Sequence, residues 1–472
     1  MCKCLIIAAL ILSLLTGSAA GQQKKSRKPV VQTPETFRGE SGQVATPAQA
    51  SLADLKWFEV FRDEQLQELI KTALVENYDL REAVARVSAA RANLGSTRSE
   101  QFPNIAAGAD LTTLRNSASS SFPSPQSSNQ KRTFGGVLLN LLSFEIDIWG
   151  RKRRQTEAAR AELRAFEEDR KAVMTTLIGD VAATYFSLLE LDMELEIARR
   201  TLSTREDSLR LIRVRQQGGV ATMLEVRQAE QLVYTASQII PDTERLIEQT
   251  ENRISLLLGK NPGAVKRGMS LTAQEQPPSV PVGIPSSLLE RRPDIKAAEH
   301  TLAAADANIG VARAAYFPRI SLTSFFGFES NQLSGLFSGP ARVWQFIPQV
   351  SQPIFTVGRL KSNVKLARAQ QQSALVQYEN AVQTAFREVS DALVEYRKVK
   401  EIRTQQELLL TTLQDRSRLA YMRYRGGVDT LLNALDADRD LFTAELSLAQ
   451  TRRDERLSLV QLYKALGGGW QE

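Results

Sequence analysis

The amino-acid sequence predicts an internally duplicated membrane protein of mixed α and β structure. The same sequence unit occurs twice along the chain, and each copy contains a predicted helix of 67 residues, at 151–217 and 359–425. Each copy also has two short segments in which apolar and polar residues alternate, which is the period of a β-strand. We therefore expect four strands per chain that contribute to a transmembrane β-barrel, and long helices that extend the same tube into water as an α-helical barrel.

Composition excludes most catalytic designs. Among 472 residues there is one histidine, His300, and there are two cysteines, Cys2 and Cys4. A zinc site, a histidine-dependent triad and a disulfide framework all need more of these residues. The net charge of +7 is mild for this length and does not indicate a nucleic-acid partner. We expect no catalytic, cofactor or metal site, and hence no enzyme.

The N-terminus is typical of an exported protein. Lys3 precedes an apolar run at 5–15, and the small residues Ser18 and Ala20 follow it. This pattern predicts a signal peptide at 1–20 that is cleaved between Ala20 and Gly21. A membrane anchor is the alternative, although the run is short for a span. Residues 21–53 are polar and rich in Pro and Gly, and we expect an extended leader there.

The duplication is visible residue by residue. Residues 77–105 align with 292–320 at an offset of 215, and 11 of these 29 positions are identical. From Gly150 and its match Gly358 onward, the offset is 208. The offset between the copies therefore falls by seven residues within a Ser/Asn/Pro-rich stretch of repeat 1. This is the kind of position where a surface loop tolerates an insertion. We expect repeat 1 at 54–258, a linker at 259–285 and repeat 2 at 286–472, with the two units side by side.

Each repeat has the same predicted order of elements. An Ala-rich helix ends at a Phe-Pro pair, because Pro cannot continue a helix. Two strands follow, then the long helix, a Gly-Gly turn and a second long helix. The first helices are predicted at about 77–101 and 293–316, the strand pairs at about 104–115 with 132–148 and at about 319–328 with 342–355, and the last helices at about 220–258 and 428–466. A 67-residue helix would be about 100 Å long, which favours coiled-coil packing.

The alternating segments have the length and pattern of membrane-spanning strands. Asn140 and Pro348 interrupt the alternation. A half-buried sheet in a soluble periplasmic domain is the alternative. Four strands cannot close a membrane barrel, which needs about eight or more, and open strand edges are not tolerated in lipid. If the strands span a bilayer, several chains must therefore share one barrel.

Five motifs resemble those of the outer-membrane efflux channel family of Gram-negative bacteria, the TolC-like proteins, in the branch that serves resistance-nodulation-division pumps. They are SFEIDIWGR at 143–151, PIFTVGR at 353–359, YRGGVD at 424–429, LDA at 435–437 and LYKALGGGW at 462–470. The resemblance implies a homotrimer with a 12-stranded barrel in outer-membrane lipid and a 12-helix periplasmic tunnel. It also implies two partners, a periplasmic adaptor (membrane fusion) protein and an inner-membrane pump.

One feature departs from that branch. Many of its members carry a Leu-x-Gly-Cys motif and are lipidated at the Cys. Here the stretch is Leu15-Thr16-Gly17-Ser18, and a Ser hydroxyl cannot form the thioether. We therefore predict a protein without a lipid anchor.

The resemblance also implies two functional sites. The matching positions Leu432, Asp436 and Arg439, spaced i, i+4 and i+7, line a periplasmic aperture that closes by sterics and dewetting. The alternative is an ordinary solvated Asp-Arg pair of little energetic value. The hairpin tips contact the adaptor through Arg215, Gly218, Gly219 and Val220 in repeat 1 and Arg423, Gly426, Gly427 and Val428 in repeat 2. Alternatively, these residues only build a helix-turn-helix corner.

The predicted function is a trimeric outer-membrane exit duct of a tripartite efflux pump. It would passively conduct drugs or other small molecules out of the cell. The outer-membrane channel of a type I protein secretion system is the main alternative. A secreted coiled-coil scaffold is a weaker one, because it would leave the alternating strands unexplained.

Overall fold

Two helices of 67 residues dominate the structure, a computed structural model that describes Leu52 and residues 55–115, 132–274 and 288–470. The predicted signal peptide with its cleavage site Ala20/Gly21, nearly all of the leader, the 116–131 loop and linker residues 275–287 lie outside the described residues. The helices are α1 (Trp57–Val60), α2 (Glu64–Glu76), α3 (Tyr78–Ser99), α4 (Arg151–Gln217), α5 (Met223–Leu257), α6 (Leu288–Arg291), α7 (Pro293–Ala314), α8 (Arg359–Arg425) and α9 (Leu431–Ala465). The strands are β1 (Ile105–Leu114), β2 (Arg132–Glu145), β3 (Arg319–Ser330) and β4 (Arg342–Ser351).

The two repeats build matching sets of elements. Repeat 1 supplies α3, β1, β2, α4 and α5, and repeat 2 supplies α7, β3, β4, α8 and α9 in the same order. Both long helices start after a glycine with positive φ, Gly150 at 76° and Gly358 at 81°. Only glycine adopts this conformation without a penalty, so the Gly-Arg motif sets both helix starts. The fold class predicted from the sequence, mixed α and β with an internal duplication, is confirmed.

Two predicted strand ends are wrong. The alternation predicts a strand that continues to about residue 148, but β2 ends at Glu145 because Asp147 caps the helix that follows. Its carboxylate accepts hydrogen bonds from the backbone N–H groups of Lys152 at 3.1 Å and Arg153 at 2.9 Å. The pattern predicts a last strand that reaches about residue 355, but β4 ends at Ser351, two residues before Pro353, which has no N–H for a ladder.

The strands form one antiparallel sheet in the order β1-β2-β3-β4. Along β3, Ile320, Leu322, Phe326 and Phe328 share one face, which we call the apolar face. The opposite, mixed face carries Ser321, Thr323, Phe325 and Gly327. The exposed side chains of the apolar face include Phe326 and, on β4, Trp344, Phe346 and Val350.

A β-bulge explains why Asn140 interrupts the alternation. Leu141 pairs with Ser324, but the next pair along the ladder is Phe144 with Leu322, so β2 carries one extra residue there. Asn140 therefore lies on the mixed face opposite Phe325, while Phe144 returns to the apolar face. Pro348, the second interruption, lies on β4 at the edge of the sheet, where Pro is tolerated.

The core runs along α4, which packs against α3, α5, α7 and α9. Among the described residues one helix, α4, has an apolar window long enough to cross a membrane by length and composition, and 61% of that window is buried in the protein. Side chains such as Tyr185 and Leu188 are fully buried in it. The window is therefore the hydrophobic core of the helical region.

Asp63 ties the start of repeat 1 to that core. It is 1% exposed and caps α2 through the backbone N–H groups of Gln65 and Leu66. Its second oxygen accepts hydrogen bonds from three groups, the Tyr185 hydroxyl at 3.2 Å, the Met269 N–H at 2.9 Å and the Gln274 side chain at 2.7 Å. This carboxylate joins α2, α4 and the segment after α5.

Candidate functional site

Each repeat ends its long hairpin in a two-glycine turn. Gly219 and Gly427 have φ values of 74° and 73°, which close the helices in the left-handed conformation usual for helix ends. The next residues, Val220 and Val428, donate backbone hydrogen bonds to the carbonyls of Arg215 at 2.8 Å and Arg423 at 3.1 Å. Both valine side chains are about two-thirds exposed, at 69% and 67%. The tips thus present backbone and an apolar side chain to the solvent.

The two tips differ in charge. In repeat 2, Arg423 forms an ion pair of 3.0 Å with Asp429. The backbone N–H of Thr430 donates a hydrogen bond to the Asp429 carboxylate, and so do the side chains of Asn433 and Arg423. These hydrogen bonds lower the pKa of Asp429. Ala221 stands at the matching position of repeat 1, and Arg215 instead lies 4.8 Å from the centroid of the Tyr424 ring. This contact brings the two tips together through a cation–π interaction.

A shared apolar core lies behind the tips. From repeat 1 it contains Leu209, Ile212, Val226, Ala229, Leu232 and Val233, and from repeat 2 it contains Tyr424, Leu431, Ala434 and Leu435. Because both hairpins contribute to one cluster, they are held as a four-helix unit rather than as two independent arms.

Leu431 faces the buried core, and its neighbour lies about 100° further around α9, toward solvent. Leu432 is 50% exposed, and Asp436 and Arg439 follow it on the same face. The Arg439 Nη1 atom lies 3.1 Å from Asp436 Oδ1, and both side chains are partly exposed. The structure therefore brings the three predicted aperture residues onto one accessible face of a single protomer.

A second acid continues that face. Asp440 is 2.7 Å from Arg416 of α8 and 3.4 Å from Arg439. The hydrogen bond from Arg416, with that from Arg439, lowers the pKa of Asp440. Two arginines and two aspartates thus alternate on the accessible side of the α8–α9 hairpin.

A buried ion pair that the sequence patterns did not predict lies behind this face. Arg205 Nε lies 2.7 Å from Asp438 Oδ2, and their side chains are 3% and 12% exposed. The spacing along α4 could have revealed this pair, because Arg205 lies between Thr201 and Leu209 on the buried stripe of the helix. A charged residue at an apolar position of a stripe indicates a buried partner.

The sheet has two outer strands, β1 and β4, each with one edge that no strand pairs within the described part of the chain. The base of the sheet carries aromatic groups. Trp149 stacks on Phe317 at a centroid distance of 4.8 Å and donates its indole N–H to the Pro318 carbonyl at 2.8 Å. Among the described residues there is no group of three or more metal-ligating side chains.

Comparison with known proteins identifies this architecture. The family model described as outer membrane efflux protein matches residues 69–260 and 284–468, one segment in each repeat. The chain is 38% identical over 451 residues to the toluene efflux pump outer membrane protein TtgC of Pseudomonas putida, with 94% of this chain and 92% of that protein covered. It is 35% identical over 469 residues to the outer membrane protein OprJ of Pseudomonas aeruginosa, with 99% and 96% covered.

A solved structure of the MtrE outer membrane channel of Neisseria gonorrhoeae in its open state superposes with a TM-score of 0.84. It is 33% identical, and 94% of this chain and 97% of that chain are covered. Family, fold and relatives agree with the prediction from the five motifs, and they confirm that the protein is not an enzyme. The chain belongs to the outer membrane efflux protein family, and it is the outer-membrane channel component of a tripartite efflux pump.

Proposed function

We propose that three copies of this chain form the exit duct, with twelve strands in one barrel and twelve helices in one periplasmic tunnel. The observation that carries this proposal is the pair of unpaired sheet edges on β1 and β4. An outer-membrane channel cannot leave backbone N–H and C=O groups open to lipid. Four strands are too few to close by themselves, whereas three copies supply a number within the range of known barrels.

We propose that the duct conducts small apolar or amphipathic molecules, solvents and drugs, that a pump delivers. The support is the 38% identity to a protein whose name assigns it toluene efflux. Selectivity would come from the pump, because a passive duct accepts what the pump delivers. The test is a deletion strain assayed for growth with toluene and with a panel of antibiotics. We expect increased susceptibility, restored by the gene in trans. Unchanged susceptibility together with the loss of a secreted protein would favour a type I secretion duct instead.

We also propose that the aperture is formed by Leu432, Asp436 and Arg439, and that the hairpin tips dock an adaptor protein under an inner-membrane resistance-nodulation-division pump. The exposure of Val220 and Val428 supports docking. Cysteines at these two positions should cross-link to the adaptor in intact cells, and cysteines at Thr411 and Thr412, also exposed but on α8 away from the tips, should not. The absence of any cross-link from either tip would contradict the docking site.

Finally, we propose that the mature protein carries no lipid, because Ser18 stands where lipidated relatives carry Cys. Mass spectrometry of the purified protein should give a polypeptide mass without acyl chains, and an acylated N-terminus would contradict the proposal.

A further inference from the structure

An open cavity lies against the base of the sheet, the end from which the chain continues into α4 and α8. Its volume of about 850 Å³ is large enough for a drug-sized molecule. The lining includes Ser321 of β3 and Gln349 of β4. These two residues pair across the ladder, and Ser321 also pairs with Glu145 of β2. One row of polar side chains on the mixed face therefore forms a wall of the cavity.

The mixed face is the side that turns toward the lumen of the proposed barrel. The opposite face exposes Trp344, Phe346 and Val350, as the lipid-facing side of a barrel does. Arg319 starts β3 two residues before Ser321, and alternate residues of a strand share a face. This arginine, which also lines the cavity, is therefore a cation at the lumenal base of the sheet.

The other charges around the cavity are neutralised in pairs. Glu145 accepts hydrogen bonds from Arg151 on both carboxylate oxygens, with 2.8 Å between Arg151 Nε and Glu145 Oε1, and these side chains are 17% and 20% exposed for Arg151 and Glu145. Glu100 forms an ion pair with Lys152. Arg319 is exposed and forms no ion pair with any described residue. The cavity thus carries one uncompensated positive charge, and that charge belongs to Arg319.

The duplication places polar groups at matching positions of both repeats in this cavity. Arg319 and its counterpart Asn104 each follow a Phe-Pro pair, and both line the cavity. Ser143 and its counterpart Ser351 line it as well. Only repeat 2 supplies a charge at these positions. Three copies of the chain would therefore place three guanidinium groups among neutral hydrogen-bonding side chains at one level of the duct.

The chemistry of this lining suits an organic anion. A guanidinium donates two parallel hydrogen bonds to one carboxylate or sulfonate group. The hydroxyl of Ser321 and the side-chain amide of Gln349 can donate to the remaining lone pairs. Leu142, which also lines the cavity and is 48% exposed, offers an apolar contact to the body of such a molecule. An amphipathic anion would therefore find partners for both of its parts.

We propose that Arg319, with Ser321 and Gln349, forms a binding site inside the duct for amphipathic molecules that carry a carboxylate or sulfonate group. The pump chooses the cargo, and this site holds the anionic members of that cargo where the helical tunnel opens into the barrel. This inference rests on the proposed duct and names a class of molecule that the duct binds during passage.

Current block in planar bilayers of neutral phosphatidylcholine tests the site without the pump. 1-Naphthoate added on the outer side should block the wild-type channel, and Arg319→Gln should weaken this block about tenfold, as the loss of one charge-assisted hydrogen bond would. Arg319→Lys should fall between the two, because lysine keeps the charge but not the paired donors. Arg342→Gln is the matched control, since Arg342 is exposed on the apolar face of the same sheet, and it should behave as wild type. Naphthalene-1-methanol, the neutral analogue, should not distinguish the variants.

Thiol labelling separates a lumenal arginine from one that contacts lipid phosphate. The two native cysteines, Cys2 and Cys4, lie in the predicted signal peptide. An anionic thiosulfonate reagent that does not cross membranes should reduce the current of Arg319→Cys and leave that of Arg342→Cys unchanged. The naphthoate block should also persist when phosphatidylglycerol is added to the bilayer. Loss of the block on this addition would mean that a lipid phosphate occupies Arg319, and it would overturn the lumenal site.

The outcomes separate the anion site from the duct itself. If the wild-type protein is a trimer that conducts, but naphthoate blocks wild type and Arg319→Gln equally, the site is wrong and the duct stands. If light scattering shows a monomer that inserts no channel, both proposals fall. Light scattering of each variant as a trimer ensures that a weaker block reports lost binding and not lost assembly.

Discussion

Arg205 and Asp438 form a buried ion pair that joins the two repeats, with 2.7 Å between Arg205 Nε and Asp438 Oδ2. The same guanidinium donates to the Leu232 carbonyl at 3.0 Å and lies 4.8 Å from the centroid of the Phe442 ring. One side chain of α4 therefore contacts both α5 and α9. This arrangement sets the axial register of the two hairpins just behind the exposed face that carries Asp436 and Arg439.

Replacing Asp438 with Leu should destabilise the protein strongly. The substitution leaves the Arg205 guanidinium buried without its counter-charge, which costs about 3–5 kcal/mol in comparable cases. The free energy of unfolding in detergent, measured by urea titration, should fall by that amount. Asp415→Leu is the control, because its ion pair with Arg418 is exposed on both sides and should be worth less than about 1 kcal/mol. Equal losses for the two variants would contradict a special role for the buried pair.

The stability of the helical region should decrease as the pH rises above Glu190's ordinary pKa. Burial, with a hydrogen bond to Glu194, raises the pKa of Glu190 to about 8 from its ordinary 4.5, although Arg453 lies 3.2 Å away. The unfolded chain releases this proton near pH 4.5 and the folded chain near pH 8. The contribution is thus complete below the lower value and is lost as the pH rises through the higher one.

Glu190→Gln tests this dependence because the amide resembles the neutral acid. The unfolding midpoint of the wild-type protein should fall between pH 5 and pH 8 more steeply than that of the variant, and the variant should be the more stable of the two at pH 8. Glu401→Gln is the control, since Glu401 is exposed and pairs with Lys398. If wild type and Glu190→Gln keep the same slope, the carboxyl group does not carry the pH dependence.

Gly268→Ala should disturb the Asp63 junction. A Cβ at residue 268 would lie 2.3 Å from Asp63 Oδ1, and overpacking of this kind typically costs about 1–3 kcal/mol. The thermal unfolding midpoint should therefore fall. Gly263→Ala, in the same segment, has 3.9 Å between its Cβ and the nearest atom outside its neighbours and should be neutral. A loss for both variants would indicate that the segment tolerates no side chain for another reason.

Asp436→Ala combined with Arg439→Ala should make the resting channel leak. Removing the pair takes charge and bulk from the face that Leu432 shares, so single-channel recordings should show higher conductance at rest. Asp415→Ala with Arg418→Ala is the matched control, because it removes an exposed pair of the same i, i+3 spacing from α8. Unchanged conductance of the Asp436/Arg439 variant would contradict the aperture assignment.

Local signals were sufficient for much of this fold. The glycines before Arg151 and Arg359 marked both long helices at their first residue, and Gly218 and Gly426 marked their ends. The strand ends were less predictable. The alternation of apolar residues continues through Ile146 and Ile148 and therefore predicts a strand beyond the observed end at Glu145. Both a longer strand and a helix cap fit this local sequence, and the hydrogen bonds from the start of α4 to Asp147 decide between them.

The residues of the candidate site also fall into those that the sequence predicts and those that only the packing reveals. The spacing of Leu432, Asp436 and Arg439 predicted a common helix face, because positions i, i+4 and i+7 share a face on any helix. No spacing rule links Arg205 to Asp438, which lie 233 residues apart. Their pairing depends on how two hairpins pack.

The sequence by itself determined the duplication, the order of elements, the glycine turns and the family, because each is written in local patterns or in the repetition of those patterns. The tertiary structure decided which copies of the repeated surfaces are covered. Ala89 and Ala304 are the same residue in the same local sequence, yet one is exposed and the other buried. Burial depends on the neighbouring element, and a chain of two repeats supplies an internal neighbour to only one of them.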